Sequence, residues 1–199
     1  MTDKKVVVLD IDNTLVDYTA AWLKFIKART GLTFSTIIEA KEGLDRDDYV
    51  NMKEEYRASG RKRDLELMSP AIPALLNRLV EMGWRIAIVS SRPAYKNPMV
   101  AQDTLIWLVA HSIPTDYIYF TEDKHLLIER LFKDCSHCYV IEDEIEFAEK
   151  ISASGFTVML VNPEAYCQTI GLNVFKSTAQ ALETIIYSET QEGREGEDS

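Results

Sequence analysis

Lys5-Val6-Val7-Val8-Leu9-Asp10-Ile11-Asp12-Asn13-Thr14 is the stretch on which the reading of this chain turns. Its first half is an unbroken β-branched and aliphatic run, as expected of a parallel strand buried on both faces. Its second half sets two carboxylates two residues apart, so an extended backbone points both to one side at the strand's mouth. Acids held that close repel. The repulsion is relieved if a divalent cation binds one and the other holds a proton, which yields a nucleophile and a general acid from one residue type.

Four further apolar runs, at 84–89, 117–120, 138–141 and 156–161, alternate with segments of helical spacing. The alternation predicts an α/β fold, a Rossmann-like three-layer parallel sheet with helices on both faces and ligands at the carboxyl ends of the strands. Ser69-Pro70, Asn97-Pro98 and Asn162-Pro163 each pair a capping residue with proline at a first helical position, and Gly83 closes the helix before the second strand. Residues 17–68 contain no convincing strand but carry helical stripes, Tyr18, Trp22, Phe25, Ile26 and then Tyr49, Met52, Tyr56. They read as a small helical cap inserted after the first strand. Residues 1–16 and 69–187 then form the core domain, and 188–199 a disordered acidic tail without apolar periodicity.

Composition agrees with one soluble catalytic-sized domain: 199 residues, 46% hydrophobic and 27% charged. No apolar run is long enough to span a bilayer, and the first residues lack the apolar core and cleavage site of a signal peptide. Three cysteines give no disulfide framework and fit a reducing, cytoplasmic setting. The net charge is −10, and residues 189–199, with five acids against Arg194, account for −4 of it. Such a balance argues against broad attraction to polymeric nucleic acid and favours a small phosphorylated partner met by local cations.

Asp10-x-Asp12-x-Thr14 opens like a calcium-binding EF-hand loop, but Leu15 stands where that loop needs glycine and Ala21 where it needs glutamate. Three further groups sit at the ends of predicted elements: Ser90-Ser91-Arg92-Pro93, Lys124 in Thr121-Glu122-Asp123-Lys124, and Glu142-Asp143. In this order they resemble the four motifs of the haloacid dehalogenase (HAD) superfamily of phosphohydrolases, over roughly residues 5 to 162. The resemblance implies that Asp10 attacks phosphorus, and that Asp10, the main-chain carbonyl of Asp12 and Asp143 hold Mg²⁺. It also implies that Asp12 protonates the leaving group and that Ser90, Ser91 and Lys124 hold phosphoryl oxygens. A phosphomonoester dianion must be neutralised before a carboxylate can attack it, and a cation with a lysine can do so.

A helical insert at this place is similar to the arrangement in 5'(3')-deoxyribonucleotidases. Asp17-Tyr18 matches the acid and aromatic that follow the first motif there, which implies a nucleoside monophosphate substrate with its base against Tyr18. Tyr18 reads equally well as part of the cap's buried stripe; for Trp22 and Phe25 the buried role is the expectation. Asn13 replaces the glycine of many nucleotidases, and Glu142-Asp143 replaces a pair of aspartates. Ser90-Ser91-Arg92 also resembles the phosphatase domains of polynucleotide kinase enzymes, which act on nucleic acid 3'-phosphates and would give Arg92 a substrate contact. The basic residues Arg57, Arg61, Lys62 and Arg63 read as a solvated face, and Asp143 with Glu146 as a capping box. Cys135 and Cys138 lack a second ligand pair, which argues against zinc.

Overall fold

A computed structural model of the protein describes residues 4–162 and 171–195. Six parallel strands form one sheet: β1 (Lys5–Leu9), β2 (Arg85–Ser90), β3 (Tyr117–Phe120), β4 (His137–Glu142), β5 (Thr157–Leu160) and β6 (Asn173–Val174), in the order β3-β2-β1-β4-β5-β6. β1 is central, with Val8 beside Ala87 of β2 and beside Val140 of β4. The unbroken apolar run of β1 has its cause here, since alternate side chains enter opposite cores. Val7 and Leu9 join Leu76 and Leu79 of α4 (Ile72–Glu81), Trp107 of α5 (Pro98–Ala110) and Ile185 of α8 (Thr178–Glu195). Val6 and Val8 join Ile128 and Phe132 of α6 (Lys124–Phe132) and Ile151 of α7 (Ile145–Ala153). The result is the expected three-layer α/β fold. β6, only two residues long, is too short for any periodicity to announce it.

Three α-helices lie between β1 and α4: α1 (Tyr18–Thr30), α2 (Ile37–Gly43) and α3 (Arg46–Ala58), followed by a 3₁₀ turn at Arg61–Asp64. Their apolar faces meet in a cluster of their own, in which Trp22 lies stacked on Phe25 and edge-on to Tyr49 and Tyr56. The chain enters and leaves this insert through a short antiparallel stem. There Asp17 donates its amide to Glu66 O at 3.0 Å and Met68 donates to Leu15 O at 2.9 Å. The stem fixes the insert over the carboxyl rim of the sheet, a few residues from Asp10.

Several local expectations are corrected. Asn97 caps α5 as foreseen, its side chain accepting from the Met99 amide, and Gly83 takes the left-handed conformation (φ 87°) that ends α4. Ser69, however, makes a turn one step earlier, and α4 begins at Ile72 with Pro73 in its first turn. The Asp143–Glu146 capping box does not form. Asp143 accepts from Asn13, Glu146 pairs with Lys150, and α7 has no side-chain cap. Pro163 of the Asn162-Pro163 pair lies outside the described residues. The tail expected from Ser188 is helical as far as Glu195, and Glu189 pairs with Lys5 at 2.5 Å, which anchors that last stretch to β1. No helix among the described residues is long and apolar enough to cross a membrane.

Candidate active site

The strand order reverses on either side of β1, so the loops after β1 and β4 diverge and leave a crevice at their carboxyl ends, where open α/β sheets take their ligands. Asp10 follows β1 directly, its amide donating to Ile141 O of β4 at 3.1 Å, while Glu142 ends β4 and Asp143 follows. Lys124 is the first residue of α6. Its Nζ lies 3.1 Å from Asp10 Oδ1 and 2.6 Å from Glu142 Oε2, over the Phe147 ring at 4.4 Å. Only 1% of Lys124 is exposed. Burial works against its charge, but Asp10 and Glu142 outweigh burial and raise its proton affinity above the ordinary lysine value.

Asp10, Glu142 and Asp143 offer carboxylate oxygens that all lie within 4.8 Å of one another. Burial raises the Asp10 carboxyl in spite of Lys124, and Asp12 adds to the rise. Burial and then Asp10 push Glu142 well up, and burial with Asp10 and Glu144 brings Asp143 to about 7. Crowded carboxylates that cling to protons are suited to a hard divalent cation, which takes oxygen ligands and relieves their repulsion. The donor set therefore fits Mg²⁺. Glu142, which sequence left without a role, belongs to this cluster as fully as Asp143 does. Cys135, His137 and Cys138 form no such group among the described residues; both thiols are free and raised by burial, Cys138 to about 12.

Asp12 departs from expectation. The paired-acid reading gives it a proton, yet Arg92 Nε lies 3.1 Å from both its oxygens and Lys62 Nζ 3.4 Å from Oδ2. Burial opposes ionisation, but Arg92 and Lys62 outweigh it and hold the Asp12 carboxyl well below the usual range. With those cations in place, the Asp12 carboxyl is ionised. Arg92 is itself fixed from behind, Nη1 donating to Thr104 Oγ1 at 2.8 Å, and that hydroxyl donates to Val100 O. Lys62, 3% exposed, is the residue that the sequence misassigned. The tight pitch of the 3₁₀ turn carries it inward while Arg63 pairs with Asp103 of α5. No local signal separates Lys62 from its basic neighbours. Burial lowers its ammonium to about 8.

The other expected residues stand as follows. Ser90 Oγ is buried and accepts from the Arg92 amide at 3.3 Å, and Ser91 lines the open space above. Asn13 has φ 59°, in the left-handed region that asparagine tolerates and glycine adopts freely, so the replacement of glycine at this position has a backbone reason. It also donates from Nδ2 to Asp143 at 3.3 Å and accepts from the amide and hydroxyl of Thr19, tying Asp143 to the start of α1. Tyr18 lines the same cavity, one side of its ring covered by Lys62 Nζ at 4.5 Å and its edge against Tyr56. The cavity holds about 260 Å³ between cap and core, below the roughly 300–1,000 Å³ usual for drug-sized ligands.

The fold is that of the haloacid dehalogenase-like hydrolases. It is similar to a phosphonoacetaldehyde hydrolase-like protein from Oleispira antarctica, with 14% identity, a TM-score of 0.64 and coverage of 95% of this chain and 93% of that one. It is also similar to a haloacid dehalogenase-like family hydrolase from Streptococcus pneumoniae, with 15% identity, a TM-score of 0.65 and coverage of 93% and 100%. A D,D-heptose 1,7-bisphosphate phosphatase from B. bronchiseptica, complexed with magnesium and phosphate, aligns at 11% identity with a TM-score of 0.56, over 92% of this chain and 99% of that one. No protein-family model and no curated protein matches the sequence.

Proposed function

We propose that this chain is a metal-assisted phosphomonoester hydrolase that works through a phosphoryl-aspartate on Asp10. The observation that carries the reading is the convergence of Asp10, Lys124, Glu142 and Asp143, from three separate elements, on one point of the sheet rim. Asp10, Glu142 and Asp143 would hold Mg²⁺, with the main-chain carbonyl of Asp12. Bound there, the ion supplies the positive charge that lets a carboxylate approach a phosphate dianion. A carboxylate oxygen of Asp10 bonds to phosphorus as the bond from phosphorus to the leaving oxygen breaks. Lys124 and the Ser90 hydroxyl donate to phosphoryl oxygens. A substrate anion draws Arg92 and Lys62 toward itself, each cation so diverted raises the affinity of Asp12 for a proton, and Asp12 takes one up from solvent. Asp12 then gives that proton to the leaving oxygen. In the second half it takes a proton from the water that attacks the acyl phosphate, which frees phosphate and restores Asp10.

The substrate in this reading is a nucleoside monophosphate, whose nucleoside is the leaving group, supported by Tyr18 in the cavity wall. The narrow cavity favours a small molecule over a nucleic acid end. Asp10→Asn is expected to abolish Mg²⁺-dependent phosphate release while leaving the melting temperature near that of the parent. Residual turnover at the parent rate would remove Asp10 as nucleophile. A panel of 5'- and 3'-nucleoside monophosphates, sugar phosphates and 3'-phosphorylated oligonucleotides tests the leaving group.

A further inference from the structure

The cavity is walled by more positive charge than the chemistry at its floor uses. Its charged lining consists of Asp10 and Asp12 on the floor, Lys62 and Arg92 beside them, Glu144 on the core wall, and Lys53 and Arg57 from α3. The inner cations are matched: Arg92 and Lys62 by Asp12, and Lys124, behind them, by Asp10 and Glu142. Lys53 and Arg57 are not accounted for in this way. They stand one helical turn apart on the same face of α3. Lys53 is half-buried and has no carboxylate within ion-pair distance among the described residues; its ammonium lies 5.7 Å from the centre of the Tyr49 ring. Burial, with Arg57 and Lys41 close by, lowers its proton affinity, while Asp12 and Glu144 act on it only from a distance. Arg57 is paired with Glu54 on its own helix, but Glu54 is 59% exposed, and an ion pair of that kind binds weakly and leaves other N–H groups of the guanidinium free. Against these two cations the outer half of the cavity sets one carboxylate, Glu144. In a chain of net charge −10, a cavity wall with surplus cations is a local device that concentrates anions.

We infer that the substrate carries a second anionic group, a phosphate or a carboxylate, which Lys53 and Arg57 of the cap bind while the scissile phosphoryl group sits at Asp10. The inference deepens the phosphatase reading and rests on it. It narrows the preferred substrate to phosphomonoesters that carry a second anionic group, which among nucleotides means a nucleoside bisphosphate. Recognition by the cap also explains how a cation-lined mouth coexists with an acidic body.

The test uses the full chain with Mg²⁺ and three pairs of compounds that differ by one anionic group: glycerol 3-phosphate and 3-phosphoglycerate, fructose 6-phosphate and fructose 1,6-bisphosphate, and adenosine 5'-monophosphate and adenosine 3',5'-bisphosphate. In at least one pair the doubly anionic member should show a kcat/KM about tenfold or more above its partner, a difference that lies in KM. In Lys53→Gln/Arg57→Gln, shown by its thermal melt to be folded, that ratio should fall to near one. The pair that discriminates tells carboxylate from phosphate as the second group. Binding of the same compounds to Asp10→Asn, measured by calorimetry, separates the two claims. Discriminating affinities without phosphate release from any compound by the parent would overturn the phosphatase reading and keep the anion site. Equal kcat/KM and equal affinities within every pair, or a ratio that survives the double substitution, would overturn the inference and leave the phosphatase reading standing.

Discussion

Replacing Lys124 with methionine keeps most of its stem against Phe147 and removes the ammonium that lies between Asp10 and Glu142 at 3.1 and 2.6 Å. Breaking a buried pair by deleting one partner costs about 3–5 kcal/mol, because the remaining charge is left uncompensated. Here the carboxylates can escape part of that cost by taking up a proton, so a loss of about 3 kcal/mol at neutral pH is expected. For a chain of this size each kcal/mol lowers the melting temperature by about 2–4 °C, which makes the expected drop about 6–12 °C in metal-free buffer. The pH dependence follows from the direction of the shifts. Asp10 and Glu142 already have raised proton affinities in the folded chain, and loss of Lys124 raises them further. A folded state that holds more protons than the unfolded one is favoured at low pH and loses that advantage as pH rises through the folded values. The variant should therefore melt closest to the parent near pH 5 and furthest below it near pH 8. Millimolar Mg²⁺ should stabilise it more than it stabilises the parent, since the cation replaces the missing charge. Calorimetric melts at both pH values check this. A drop under about 2 °C near pH 8, or one that is equal at both pH values, would refute the argument that Lys124 is held in place by neutralising these two acids.

Three other outcomes are expected. Asp143, raised to about 7, must shed its proton to bind a cation, so Mg²⁺ affinity should climb as pH rises toward that value and binding should release protons; calorimetry in two buffers of different ionisation heat detects them, and constant affinity from about pH 5.5 to 8 would contradict the linkage. Thr104→Val leaves Arg92 Nη1 without its buried acceptor and should cost about 1–3 kcal/mol in urea unfolding; a change within error would mean that Arg92 repacks freely. Trp22→Ala should cost about 3–5 kcal/mol and open the cap to proteolysis, whereas Trp22→Phe should cost much less, because the buried Trp22 Nε1 has no hydrogen-bond partner to lose.

Much of this molecule could be read from its sequence because the signals were local. Each strand of the sheet except β6 was visible as an apolar run, since a parallel strand with helices on both sides has no polar face to interrupt it. Asp10, Ser90 and Glu142-Asp143 could be placed on one rim from sequence, because parallel strands all end at the same side of their sheet. The cap's aromatic stripes announced a separate small core, and the Trp22, Phe25 and Tyr56 rings form it.

The charges behaved otherwise. Lys62 meets Asp12 across 50 positions of sequence, Arg92 meets Asp12 across 80, and Lys124 meets Asp10 across 114. A run such as Arg61-Lys62-Arg63 looks uniform in sequence, and only the 3₁₀ turn decides that Lys62 faces the site and Arg63 faces Asp103. In the same way Glu189 of α8 meets Lys5 from the far end of the chain. Sequence alone determined which segments form strands and helices, β6 and the last turns of α8 excepted, and which strand ends carry acids, because backbone conformation and burial periodicity are set by near neighbours. Tertiary structure alone decided which acid is ionised, which lysine is buried and which cations remain unmatched, because the energy of a charge depends on what lies within a few ångströms of it in space.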